Sequence, residues 1–143
     1  MSTAYTNSNK IGTGIFVEEK IYDLPDGQDP EMLVQSLVGL GPLKVQEREK
    51  EILGTYPNTY TFTKSLAERT LKKIHGDLPV SIVRPSIIIS CYDQPFQGWT
   101  DTMSAGGGLT YAICNGAIKY IKAKGEAIYD VIPCDFVSNT IIV

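Results

Sequence analysis

Tyr60 and Lys64 stand four residues apart, so on a helix their side chains leave the same face. A phenol beside an ammonium suits the reduction of a carbonyl by hydride. As hydride reaches carbon, negative charge builds on oxygen, and a positioned phenol donates its proton there. A free phenol titrates near ~10, too weak an acid for easy transfer at neutral pH, and a neighbouring ammonium lowers that value by stabilising the phenolate. Such a lysine also suits a ribose hydroxyl of a bound cofactor. Spacing alone does not decide the matter. The chain has 8 tyrosines, and Tyr120 and Lys124 repeat the interval beside Gly125 with no apolar face around them. Taken alone, an ordinary helix face accounts for Tyr60 and Lys64 more readily than chemistry does.

The element that must carry the pair has the strongest helix signal in the chain, over residues 58–74. Pro57-Asn58-Thr59 supplies the start. Phe62, Leu66, Ala67, Thr70, Leu71 and Ile74 then recur at three- and four-residue steps, and Gly76 marks the end. After it come Leu78-Pro79-Val80-Ser81-Ile82-Val83, Arg84-Pro85-Ser86 and Ile87-Ile88-Ile89. A short apolar run following an amphipathic helix predicts a buried parallel strand at 80–83. Helix then strand implies an α/β architecture.

The flanking regions are less regular. Residues 6–30 are polar and turn-rich, with Gly12, Gly14, Pro25, Gly27 and Pro30 around a short apolar run at 15–17. Asp29 before Pro30 reads as an N-cap with proline at the first helical position, and Met32, Leu33, Ser36 and Leu37 would share a face of that helix as far as Gly39 and Gly41. A second helix is expected within 43–53. Beyond Cys91 come Pro95, Gly98, Trp99 and Gly106-Gly107-Gly108, then a helix over about 109–115. Residues 117–121 are strand or helix, which periodicity does not resolve. Asp130-Val131-Ile132-Pro133 reads as a strand end entering a final helix that Val143 cuts.

Composition narrows the classes. At 143 residues and 15.7 kDa, with 43% hydrophobic and 20% charged residues, the chain is one domain's worth of globular protein. Three widely spaced cysteines without a CxxC pair argue against a disulfide framework and a zinc site, so no metal is expected, and they suit a reducing compartment. No apolar run is long enough for a transmembrane helix. The N-terminus has neither the basic start nor the apolar stretch of a signal peptide. A net charge of −3 and a pI near 5.1 disfavour nucleic acid as a partner.

Other residues are weighed against plainer roles. Lys119, Lys122 and Lys124 with Tyr120 suit the phosphates of coenzyme A or, more simply, a solvated surface. Trp99 and Phe96 suit an acyl channel or loop packing equally. His75 sits at a helix C-terminus, where positive charge is favoured. Cys91, Cys114 and Cys134 read as small apolar core residues. Asp135 and Asn139 stand at a helix start, where capping is the default.

The segment Pro57-Asn58-Thr59-Tyr60-Thr61-Phe62-Thr63-Lys64-Ser65-Leu66-Ala67-Glu68 resembles the active-site helix of fatty acyl-CoA reductases, the male-sterility branch of the extended short-chain dehydrogenase/reductase superfamily. The likeness runs in order along nearly the whole chain. Ser2-Thr3-Ala4-Tyr5 resembles the strand end bearing the family's catalytic hydroxyl, and Glu18-Glu19-Lys20-Ile21-Tyr22 its following loop. Pro79 to Ile87 resembles the strand and turn beside the nicotinamide, and Gly98-Trp99-Thr100-Asp101, Gly108-Leu109 and Asp130 to Asn139 complete the series.

The resemblance implies the C-terminal part of a Rossmann-type doubly wound parallel sheet, residues 1–143 being a partial NAD(P)-binding reductase domain. It implies an NADPH-dependent enzyme reducing a long-chain acyl-CoA to an aldehyde and then a fatty alcohol. Tyr60 would be the proton donor, Lys64 its activator and ribose ligand, and Thr3, or secondarily Ser2, the hydroxyl bonded to the substrate carbonyl. Arg84, Pro85 and Ser86 would lie near the nicotinamide, with Tyr60 and Lys64 also touching the cofactor. The family's opening strand, glycine-rich TGxxGFxG turn and phosphate-binding helix have no counterpart here. Gly12-Thr13-Gly14 is too short, and Gly106-Gly107-Gly108 is out of order. The expectation is therefore an incomplete sheet without its first βαβ units, a chain inactive by itself, and self-association through an exposed sheet edge. An intracellular site, on peroxisomal or endoplasmic-reticulum membranes, follows from the resemblance. A nucleotide-sugar epimerase or dehydratase shares the Tyr–Lys pair, and a non-catalytic remnant that binds a partner is the alternative outside enzymes.

Overall fold

The structure, a computed structural model, describes residues 1–24, 27–104 and 106–143. Pro25, one of the expected turn signals, lies outside them. The chain forms two compact units, Ser2–Ile82 and Val83–Val143, Met1 being grouped with the second.

The Ser2–Ile82 unit is helical. A 3-10 helix, Ala4–Lys10, opens it. Thr3 has extended angles (φ −147°, ψ 148°) and its Oγ1 accepts from the Tyr5 N–H at 3.3 Å. The strand end expected at Ser2-Thr3 is thus a cap leading into a tight helical turn, because Thr3 satisfies the free N–H of that turn. Helix α1, Pro30–Leu40, starts as expected, with Asp29 Oδ1 accepting from the Glu31 and Met32 N–H groups at 2.9 and 3.1 Å. It stops at Gly41, whose φ of 77° is the left-handed turn that glycine makes without strain. The helix expected within 43–53 is two short ones, α2 (Pro42–Glu47) and α3 (Glu49–Leu53), broken at Arg48 (φ −103°, ψ 14°). Helix α4, Thr59–Ile74, is capped by Asn58, whose Oδ1 accepts from the Thr61 N–H at 2.9 Å, and ends at His75.

The core of this unit is Leu24, Tyr56, Phe62 and Leu66, with Leu33, Val34, Leu37, Ile52 and Leu53 packed around it. The Tyr56 and Phe62 rings meet edge to face at 5.5 Å. The apolar stripe of α4 continues differently from its periodicity. Ala67, Leu71 and Ile74 are exposed, whereas Ser65, Glu68 and Arg69 are buried. The reason is a polar seam: Arg69 donates to the Tyr22 carbonyl at 2.6 Å, to the Tyr56 hydroxyl at 3.2 Å and to Ser65 Oγ, and the Tyr56 and Ser65 hydroxyls bond each other at 2.7 Å. Satisfied polar groups hold this side of α4 where apolar packing was expected.

The second unit holds a parallel pair, β1 (Ile87–Ile89) and β2 (Val131–Pro133), in register Ile87↔Val131, Ile88↔Ile132, Ile89↔Pro133. Helix α5, Gly106–Cys114, packs on β1, and α6, Cys134–Ile142, packs on both strands. A Cβ at Gly106 would come within 2.6 Å of the Ile89 side chain, so this contact needs glycine. The β2-to-α6 transition matches the sequence expectation. The strand expected at 80–83 does not form: these residues pair with no strand among the described residues, and Val80 is exposed. A strand is stable only as part of a ladder, and the ladder here spans three residues from Ile87 onward. Residues 117–121 are neither strand nor helix, and Lys119, Tyr120, Lys122 and Lys124 are exposed, as a solvated surface requires. Cys91 is buried and Cys134 half-buried, but Cys114 is exposed on the last turn of α5, which removes it from the expected core set. The architecture is mixed α/β with a small parallel sheet. Among the described residues, no helix is long and apolar enough to cross a membrane.

Candidate active site

Helix α4 is fixed on one side by the core and the Arg69 seam, and Tyr60 and Lys64 lie away from both. Tyr60 is 54% exposed and Lys64 half-buried. The Lys64 Nζ sits 5.9 Å from the centroid of the Tyr60 ring, so the two side chains share a face and the cation lies within electrostatic reach of the phenol. The phenol is open to an incoming carbonyl. This arrangement leaves an exposed phenol able to hand over a proton, with a cation on the same helix face.

Ser2 and Thr3 belong to the same unit, immediately before the 3-10 helix, which packs on α4. Both are buried. The Thr3 hydroxyl accepts the Tyr5 N–H, which leaves its own proton for a second partner. Ser2 Oγ is buried with no hydrogen-bond partner among the described residues. The Thr6 and Ser8 hydroxyls of the 3-10 helix are buried without a partner in the same way. Arg84, Pro85 and Ser86 belong to the other unit and lead directly into β1, with Pro85 buried and Arg84 and Ser86 half-buried.

These residues fit the ribose and nicotinamide end of a dinucleotide: an exposed phenol, a nearby ammonium and an unsatisfied hydroxyl. The glycines offer no open phosphate cradle among the described residues. Gly12 and Gly14 have open space beside them, but residues 11–24 hold no helix for them to lead into. Gly106, Gly107 and Gly108 do open a helix, yet side chains there would meet Ile89 and the Thr102 and Met103 carbonyls, so that space belongs to the chain itself.

Two features escaped the sequence. Asp135 is more than a local cap: its carboxylate accepts the N–H groups of Tyr92, Asp93 and Gln94 at 3.0, 2.9 and 3.2 Å, tying a loop some forty residues away to the start of α6. The Tyr92 bond, followed by those from Asp93 and Gln94, holds this carboxyl at about 2, against the burial that opposes it. The second is a cavity of about 450 Å³ walled by α1, α2, α3 and the first turns of α4, with Thr59 and Thr63 on its lining. Its only signal was the Gly39-Leu40-Gly41-Pro42 run that turns α1 into α2.

The family model described as Male sterility protein, an NAD-binding family, matches residues 1–141. The chain belongs to this male-sterility family. Fatty acyl-CoA reductase 1 of Xenopus laevis is 37% identical over 140 residues, covering 98% of this chain and 26% of that protein. Fatty acyl-CoA reductase 2 of Mus musculus is 37% identical over 142 residues, and that of Homo sapiens 34% over 142, each covering 99% of this chain and 26% of the relative. The chain thus spans about a quarter of the length of the curated reductases it matches. No solved structure matches it. Membership in an NAD-binding family makes a nicotinamide dinucleotide the cofactor class.

Proposed function

We propose that this chain supplies the proton-donating half of a site that reduces a long-chain acyl-CoA, with NADPH, to an aldehyde and then a fatty alcohol. The observation that carries it is the exposed Tyr60 phenol with the Lys64 ammonium on the same face of a helix immobilised from behind. Each of the two reductions would take one hydride from a bound NADPH, coenzyme A leaving as its thiol after the first. Tyr60 gives its proton to the carbonyl oxygen as charge develops there, and Lys64 stabilises the phenolate that remains. Lys64 also bonds a ribose hydroxyl. Thr3, or secondarily Ser2, donates a second hydrogen bond to the same carbonyl oxygen, the Thr3 hydroxyl keeping its proton while it accepts the Tyr5 N–H. Arg84, Pro85 and Ser86 line the nicotinamide end. In this reading β1 and β2 are strands of a Rossmann-type doubly wound sheet, and residues 1–143 form part of that domain.

The test is NADPH oxidation with palmitoyl-CoA, by this chain and by a version extended upstream with the glycine-rich βαβ unit of a relative. Turnover that falls by about 10²–10⁴-fold in Tyr60→Phe, the range a positioned general acid contributes, supports the reading. Turnover in neither polypeptide favours a non-catalytic remnant, and turnover that survives Tyr60→Phe removes the phenol from the mechanism.

A further inference from the structure

We propose that the cavity between α1, α2, α3 and the start of α4 receives the hydrocarbon tail of the acyl substrate, and that Val38 and Val45 set the chain length it admits. This rests on the reading of Tyr60 as the group that meets the carbonyl. The cavity holds about 450 Å³, within the range of small-molecule sites, and its walls are Leu37, Val45, Ile52, Leu53 and Phe62, with Val38 at its edge. Its carboxylate is Glu49 alone. The neighbouring space behind Leu37, Ile52, Leu53 and Phe62, about 690 Å³, carries Lys44, Arg48 and Glu51 and offers no comparable home for an alkyl chain.

Position and chemistry join the cavity to the phenol. Thr63 lies three residues after Tyr60, so the two are surface neighbours on α4, with Cβ atoms about 5–6 Å apart by helix geometry. The Thr63 hydroxyl donates to the Thr59 and Tyr60 carbonyls at 2.8 and 3.0 Å. Its polar atom is spent on its own helix, and its methyl group is what it contributes to the lining. A carbonyl held at Tyr60 therefore has an apolar path past Thr63 into the space below. Water in that space finds few polar partners, and an alkyl chain that replaces it gains the burial of each methylene.

The test compares palmitoyl-CoA, octanoyl-CoA and free coenzyme A as titrants of the chain by calorimetry, for the wild type, Val45→Trp and Val38→Trp. The expected result is tightest binding of palmitoyl-CoA and about a tenfold loss of that affinity in each variant, with octanoyl-CoA changed far less, because an indole takes up space that only the longer chain fills. Circular dichroism checks the fold. Val38 is 76% exposed, so Val38→Trp carries the test if Val45→Trp does not fold. Palmitoyl-CoA bound no more tightly than coenzyme A, or bound equally by wild type and folded variants, overturns the proposal. Chain-length discrimination that persists while Tyr60→Phe leaves reduction intact removes the phenol from the mechanism and leaves the cavity assignment standing.

Discussion

At the scale of single residues, α4 separates two kinds of group, and their substitutions should separate too. Tyr60 is exposed and lies outside the buried seam, so Tyr60→Phe is expected to leave the midpoint of urea unfolding unchanged while reduction collapses. Arg69 is 6% exposed and donates to Tyr22, Tyr56 and Ser65. Arg69→Ala strands the Tyr22 carbonyl and opens a hole, and should cost about 2–3 kcal/mol, read as a lowered urea midpoint. The Tyr–Lys interval was readable from spacing because a helix has only one way to place residues four apart. The Arg69 seam was not, since a three-residue period marks Leu71 and Ile74 as core with no account of a guanidinium reaching back to a carbonyl 47 residues earlier. The orphaned Ser2 hydroxyl is likewise a fact of three dimensions, invisible in a run reading Ser-Thr-Ala-Tyr.

At the scale of elements, the locally encoded features formed as read. Asp29 and Asn58 cap α1 and α4, and the β2-to-α6 junction falls where Pro133 stands. What depends on distant partners did not: the run at 80–83 has the composition of a strand but no ladder to join. Asp135 is the clearest case of an element joint set by one side chain. Its folded value of about 2 lies below the ordinary 3.8, so its bonds to the 92–94 loop stabilise the folded form fully above about pH 4. That contribution declines as pH falls through about 2, when the carboxyl takes up a proton. Amide exchange at Tyr92, Asp93 and Gln94 should therefore lose protection, relative to the sheet, between pH 4 and 2, and Asp135→Asn should flatten that dependence. Equal protection of the loop across this range would remove the carboxylate from the joint.

At the scale of the molecule, two compact units each carry part of the family's pattern, and among the described residues the sheet is a pair of strands, each paired on one side. Open edges with apolar Ile87, Ile88 and Ile89 are templates for further pairing. In sedimentation the chain is expected to show a mass above 15.7 kDa that rises through the micromolar range, and Ile88→Lys should return it to monomer. A monomer at all concentrations would mean that the edges are quiet. The α/β class was legible because helix and strand periods differ; the extent of the sheet was not, since pairing is a property of neighbours. Within the Ser2–Ile82 unit, α1 is held at its first turn, where Lys73 bonds Asp29 and reaches Glu31, and ends in Gly39 and Gly41 beside Val38. A beam clamped at one end and jointed at the other bends furthest at the joint. Any guest too bulky for the resting hollow would push there first, and the give in two glycines would add slack to the limit that Val38 and Val45 set.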